Sequence, residues 1–254
     1  MNRGIYPVLS GALAQEQRMQ VLSNNLANVH TTAFKRDEPL FRSLVARVAG
    51  SPASTGDGIV ATAPRTSNAG TERIFAAMDG IQTDLDQGRL RQTGNDLDLA
   101  IRGAGFFEVK TPQGIRYTRD GGFHVDPQRR LVTEDGYPVM GAKGELKIPP
   151  GTTTINPRGG IYVNGELMGT VKVVDFPKGV TPEKVGGGFF QASSSQPVKD
   201  VNLAVGNLEE SGVNAVSEMV KLIEVMRSFE SAQKLIQTMD GMMSLAIQEV
   251  GKVA

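Results

Sequence analysis

The feature that most constrains this chain is where its periodicities fall: both ends carry long runs of helical apolar spacing, and the stretch between them is punctuated by glycine-bearing turns. Toward the C terminus Leu222, Val225, Phe229, Ala232, Ile236, Met239, Met243, Ala246 and Val250 recur at alternating intervals of three and four residues. That is a heptad seam of about four repeats, long enough to support a coiled-coil reading. Gly241 is its weak point, since a glycine inside a helix costs about 1 kcal/mol relative to alanine. Val216, Val220, Ile223 and Met226 form a second stripe, so the first half of this helix carries more apolar surface than a simple two-stranded seam can cover. Arg227, Glu230 and Lys234 are spaced for ion pairs along the exposed side, each adding a few tenths of a kcal/mol.

The N-terminal end repeats the pattern less regularly through Ile5, Leu9, Ala12, Met19, Leu22, Leu26 and Val29, with Glu16 interrupting it. Between residues 1 and 34 the only charged side chains are Arg3, Glu16 and Arg18. The face opposite the seam carries Gln17, Gln20, Asn24 and Asn28 instead, amides that can donate and accept without the desolvation cost of a charge. Such a face suits a helix packed on several sides by protein, and it is equally what a solvated, fraying helix end would show.

With 254 residues the chain can bury a substantial core. Its 27 basic and 27 acidic side chains cancel, so no basic field exists to draw nucleic acid or an anionic membrane surface. Cysteine is absent, which excludes disulfides and thiolate metal sites and suits a protein that ends in an oxidising space. The opening Met-Asn-Arg-Gly-Ile-Tyr-Pro lacks the unbroken apolar core of a signal peptide, and no run reaches the length of a membrane span. The expectation is a chain that does not insert in a membrane and that leaves the cytoplasm, if it does, by another route than general secretion.

Between the ends, residues 37–81 are mixed, and residues 51–58 (Ser-Pro-Ala-Ser-Thr-Gly-Asp-Gly) read as an extended or mobile connection. From Gly103 to Phe190 the pairs Asp120-Gly121-Gly122, Asp135-Gly136, Lys143-Gly144, Gly159-Gly160 and Asn164-Gly165 separate short apolar runs. Asp-Gly and Asn-Gly supply the positive φ of tight hairpins, so this is an antiparallel β domain. The predicted fold class is α+β: paired, coiled-coil-like terminal helices (residues 1–36 and 206–254), an extended connector (37–80) and a central antiparallel β-rich domain (81–205).

A search for chemistry finds no catalytic, cofactor-binding or metal constellation. His30 and His124 are too far apart to suggest ligand spacing, and turn chemistry accounts for His124 beside Asp120 and Asp126. Asp96-Leu97-Asp98 lacks the later ligands of a calcium loop. Gly103-Ala104-Gly105 lacks the third glycine of a dinucleotide fingerprint and reads as a turn into Phe106-Phe107. Ser10 and the serines at 193–195 have no adjacent base. A secreted β-rich hydrolase would have to draw on Asp120, Asp126 or Asp135 in a cleft; a cytoplasmic coiled-coil adaptor would explain only the ends.

Several blocks do form a recognisable set. Ser23-Asn24-Asn25-Leu26-Ala27-Asn28-Val29, followed by Thr31, Phe34 and Lys35, closely resembles the N-terminal signature of the bacterial flagellar rod and hook proteins. Leu97 to Phe107, Tyr117-Thr118-Arg119-Asp120-Gly121-Gly122-Phe123 and Leu131 to Val139 resemble that family's central β motifs. Leu208-Glu209-Glu210-Ser211-Gly212-Val213-Asn214 resembles the lead into its terminal helix. Gly212 stands where the family usually has Asn, with Asn214 still placed to cap the helix, and Arg129-Arg130 replaces a usual glycine turn. The start Met1 to Tyr6, the run Gly88 to Asn95 and the run Thr170 to Pro177 look most like proximal-rod subunits, with distal-rod subunits second.

The resemblance implies a structural subunit with no enzymatic role and no cofactor. It implies export by the flagellar type III apparatus, polymerisation in the periplasm, and partners that are copies of itself and other rod subunits. Ile5, Leu9, Leu22, Asn24, Asn25, Leu26 and Asn28 on the first helix, with Leu222, Val225, Phe229, Ile236, Met239 and Met243 on the second, are then expected to form the subunit interface. Single apolar stripes of this size are marginal in isolation, so the ends are expected to order only when neighbours bury them.

Overall fold

The computed structural model describes residues 5–47 and 72–252. The expected connection at residues 51–58 and the start Met1 to Gly4 lie outside the described residues, as do the side chains of Ala246 and Val250. Two long helices, α1 (Ile5–Ala27) and α2 (Ala215–Lys252), flank a succession of short strands, an α+β architecture. The chain divides into two compact units. One comprises Met1–Ser23, Glu38–Gln82 and Met219–Ala254; the other comprises Asn24–Asp37 and Thr83–Glu218.

In the first unit, the stretch expected as a mixed, extended connector holds two long strands, Asp37–Arg47 and Glu72–Thr83, paired as a two-stranded ribbon. Arg42 and Asp79 form an exposed ion pair on it, 3.2 Å apart. The strands are separated by 24 residues, beyond the length of a local hairpin turn.

The second unit is β-rich. Its six-stranded antiparallel sheet runs in the order Glu183–Gly186, Phe189–Gln191, Gly114–Thr118, Phe106–Thr111, Val173–Asp175, Gln196–Pro197. Strand alternation divides its apolar side chains between two faces. Phe107, Val109 and Val173 enter a core with Leu99, Ile101, Phe123, Leu131, Val139, Ile161 and Leu203, where Phe107 meets Phe123 edge-on at 5.1 Å. Phe106 and Val174 pack the other way with Tyr117 and Phe190. Phe106-Phe107 is therefore a pair split between two cores, reached through Gly103 (φ 95°) and Gly105 (φ 127°) as the turn reading required.

The clearest hairpin signal is realised as expected. Asn164 (φ 51°) and Gly165 (φ 88°) join Gly160–Val163 to Glu166–Thr170 through consecutive left-handed residues, the requirement of a type I′ turn. Arg129 also adopts a left-handed φ of 64°. Asp120-Gly121-Gly122 departs from expectation, because it closes no two-residue hairpin. Gly121 lies flush against the next strand, its carbonyl accepting from Leu99 N at 3.0 Å, and a Cβ there would overlap the Leu99 carbonyl oxygen.

Two short ladders close the β-rich unit. Leu99–Ile101 pairs with Leu203–Val205, and Leu90–Gln92 pairs with Asn207–Glu209, so the chain's way in and its way out run side by side. Gly88 sits at the end of the second ladder, where a Cβ would overlap the Glu210 carbonyl oxygen.

Replacing Gly121 with alanine forces backbone apart at the centre of this unit, an overpacking that no side-chain rotation relieves. The expected cost is about 3 kcal/mol or more, read as a lowered urea midpoint of the β-sheet circular-dichroism signal; an unchanged midpoint would contradict the close approach.

Candidate assembly interface and its buried anchor

The segment that follows α1 is held by polar side chains rather than by a strand ladder. Asn25, fully buried, donates from Nδ2 to the Asp37 carbonyl at 2.8 Å and accepts from Asp37 N at 3.0 Å, bridging both ends of the intervening loop. Asn28 finishes the helix by donating to the Asn24 carbonyl (2.8 Å), and Thr31 donates to Asn28 Oδ1 (3.2 Å). Ala33, in a left-handed conformation (φ 54°), donates its N–H to the Glu209 carbonyl at 2.8 Å, and Gly212 N donates to the Phe34 carbonyl at 2.9 Å. A Cβ on Gly212 would meet Phe34 O at an ordinary 3.6 Å, so nothing in the close packing there demands glycine.

At the centre is an ionic triad with almost no solvent contact: Lys35, Glu209 and Arg119 are 1%, 1% and 3% exposed. Lys35 Nζ donates to Glu209 Oε1 at 2.6 Å and to the Asp86 carbonyl at 2.7 Å. Gly88 N donates to the same Oε1, and Arg119 reaches Oε2 at 3.4 Å while donating to the Gly103 carbonyl at 2.6 Å. The Arg119 guanidinium also lies 5.3 Å from the centroid of the Phe106 ring. Burial pushes the Lys35 ammonium below its ordinary pKa, with the Glu209 carboxylate opposing and Arg119 adding to the depression. Burial lowers Arg119 as well, against the attraction of Glu209 and Asp175.

A second pair flanks the triad. Lys184 Nζ bonds Asp37 Oδ2 at 2.8 Å and the Lys35 carbonyl at 2.7 Å, and lies 4.0 Å from the centroid of the Phe34 ring. Thr83 donates to the other Asp37 oxygen at 2.7 Å. None of Lys35, Glu209, Arg119, Lys184 or Asp37 was singled out from sequence as a site. The first three do lie inside the motif blocks.

The expected interface residues divide by environment. On α1, Leu22 and Asn25 are buried, Ile5, Leu26 and Asn28 half-buried, and Leu9 and Asn24 exposed. The amides of Asn25 and Asn28 are engaged within the chain. On α2, Val225 is buried, Leu222, Phe229, Ile236, Met239 and Met243 are half-buried, and the positions between them, Ala232 apart, are exposed. The seam is thus the covered face of α2, while the second stripe stands open, with Val216, Val220, Ile223 and Met226 at 73%, 52%, 52% and 44% exposure and Met219 beside them at 49%. Tyr6, Leu9 and Leu13 of α1 are open as well, at 52%, 45% and 53%. The α2 start is capped as expected, Asn214 Oδ1 accepting from Ser217 N at 3.1 Å, with Glu218 in the positive first turn.

The carboxylates a hydrolase would need serve turns. Asp120 Oδ1 accepts from Gly122 N at 3.0 Å, and Asp126 binds Arg130 through backbone and side chain (2.7 and 2.8 Å). Asp135 is exposed in the turn after Leu131–Thr133. Two open grooves occur in the β-rich unit, one about 760 Å³ around Val29, Arg89 and Val213, the other about 790 Å³ around Arg158, Lys172 and Val198, and none of these three aspartates lines either. Among the described residues no group of three or more potential ligands is placed to hold a metal ion, and no helix is long and apolar enough to cross a membrane.

A β-rich unit with zipped entry and exit strands, a buried polar anchor and helical ends bearing open apolar stripes defines a structural subunit. Three family models match the chain in order: "Flagella basal body rod protein" over residues 5–35, "Flagellar hook protein FlgE/F/G D1 domain" over 100–163, and "Flagellar basal body rod FlgEFG protein C-terminal" over 204–249. The flagellar basal-body rod protein FlgF of Caulobacter vibrioides is 32% identical over 260 aligned residues, covering 100% of both chains. FlgF of Rhizobium meliloti is 32% identical with 99% of each chain covered, and FlgG of Buchnera aphidicola subsp. Acyrthosiphon pisum is 34% identical over 92% of this chain and 94% of its own length. The chain belongs to the flagellar basal-body rod protein family: it is a structural subunit of the rod, and it assembles with other rod components.

Removing the Lys35 charge leaves the buried Glu209 carboxylate with only the Gly88 N–H and the more distant Arg119 guanidinium, the situation in which breaking a buried pair costs about 3–5 kcal/mol. Lys35→Met is expected to lower stability by about 3 kcal/mol in urea unfolding, far more than the exposed Arg42→Met. Asp120 gives a pH test. Burial raises its pKa above 3.8, with Glu134, Asp135 and Asp98 acting in the same direction and the Gly122 N–H opposing. The folded state therefore holds the proton more tightly, and that stabilisation, complete below pH 3.8, is lost as pH rises through the folded pKa. Asp120→Asn keeps the oxygen that accepts from Gly122, so it should raise the melting midpoint at pH 7 and lose that advantage below pH 3.8.

Proposed function

We propose that this subunit is of the proximal-rod type, exported by the flagellar type III apparatus and polymerised in the periplasm with copies of itself and with other proximal and distal rod subunits. Its terminal helices pair as a coiled coil along the α2 seam and build the inner tube of the drive shaft, and the β-rich unit lies outside. Ile5, Leu9, Leu22, Asn24, Leu26, Leu222, Val225, Phe229, Ile236, Met239 and Met243 supply the buried surface, in contacts that repeat head to tail without closing. Asn25 and Asn28 contribute indirectly, by fixing the chain below α1.

One observation carries this reading: α2 is apolar on two faces, and only one is covered within the chain. A helix apolar on opposite sides is stable in water only when both sides are packed. The sheet edges, by contrast, discourage strand-to-strand growth. One edge strand turns Lys184 inward and the other is two residues long and ends in Pro197, two of the usual devices against edge pairing. Similarity to FlgG at 34% identity favours the distal type as the second reading.

Phe229→Asp places a charge in the seam and is expected to abolish motility in a complemented deletion strain, while the urea transition of the β-rich unit stays at the wild-type midpoint. A swimming Phe229→Asp strain would contradict the assignment. Electron microscopy of basal bodies from the deletion strain separates the types: loss of the whole rod fits the proximal one, and a shortened rod the distal one.

A further inference from the structure

The chain has no cysteine and ten methionines, so thioethers are its only oxidisable sulfur. Two of them, Met219 and Met226, lie seven residues apart on α2 and share one face with Val220 and Ile223. At 100° per residue this face points roughly 140° away from the seam. Both residues are open to solvent, at 49% and 44% exposure. In the reading above a neighbouring subunit covers this face in the rod, and the inference rests on that reading.

We propose that Met219 and Met226 form an oxidation site that gates entry of the subunit into the rod. The reagent is a peroxide. A sulfur lone pair attacks one peroxide oxygen, the O–O bond breaks, and the sulfur gains that oxygen as a sulfoxide. The sulfur is oxidised by two electrons, and hydrogen peroxide leaves as water, both of its protons included. A flexible apolar side chain becomes a polar, chiral one carrying a strong acceptor. Packing that acceptor against a neighbour's apolar surface, with no donor opposite, carries the penalty of a buried unpaired polar group. The free subunit is the vulnerable state, because the same contact that oxidation prevents shields the sulfurs once it has formed. Since the contact repeats at every subunit, one modified chain at the growing end stops addition beyond it.

Full-length free subunit and purified basal bodies are treated with the same dose of hydrogen peroxide, and sulfoxide at the two methionines is followed by mass spectrometry. Oxidation at least tenfold slower in the basal bodies is expected; equal rates overturn the proposal. In a complemented deletion strain, Met219→Gln with Met226→Gln imitates the sulfoxide and should abolish motility, whereas Met219→Leu with Met226→Leu should swim. A swimming Gln pair, or a non-motile Leu pair, overturns it. Both pairs should keep the wild-type urea midpoint of the β-rich unit, which separates failed assembly from failed folding. If both pairs swim while the deletion strain lacks rods, the rod assignment stands and this inference alone falls.

Discussion

The architecture hinges on one buried carboxylate. Glu209 receives an ammonium, a guanidinium and a backbone N–H, and through them it ties the segment below α1, the end of the strand Gly114–Thr118 and the loop at Asp86–Gly88 to the segment that leads into α2. A buried triad of this kind contributes little net stability, because desolvation offsets most of the attraction. Its effect is on uniqueness. An apolar cluster at the same place would tolerate sliding, whereas a carboxylate with three fixed donors accepts one arrangement. The Asn25 bridge across Asp37 and the Lys184 contacts extend that restriction outward from the same point.

How much of this was legible in the sequence follows the range of the forces involved. The helices and the type I′ turn at Asn164-Gly165 are local events, set by apolar spacing and by the φ a residue can adopt, and both were readable. Asp120-Gly121-Gly122 was misread because its glycines answer to the Leu99 backbone some twenty residues earlier in the chain, and composition cannot distinguish a turn glycine from one required by close approach. The ribbon of Asp37–Arg47 and Glu72–Thr83 escaped for a similar reason, since nothing adjacent in sequence brings its strands together. The ionic triad was the least legible feature. Lys35 and Glu209 are 174 positions apart, and each alone is an ordinary charge in a polar stretch.

The amides of the N-terminal signature show how a correct resemblance can carry an incomplete physical reading. Their lack of charge suggested surfaces meant for neighbours. Asn25 and Asn28 satisfy backbone within their own chain, while Asn24 on α1 is exposed.

The paired ladders Leu99–Ile101 with Leu203–Val205 and Leu90–Gln92 with Asn207–Glu209 have a mechanical consequence. Two of the four covalent attachments of the β-rich unit, those leading into Leu90 and out from Glu209, feed adjacent strands beside the hydrogen bond between Phe34 and Gly212. A force entering through one attachment can return through the other across a few ladder rungs and the triad. The six-stranded sheet then hangs beside the load path instead of lying in series with it. Its hairpins can lengthen or change their surface chemistry without altering the stiffness of the junction that carries the strain.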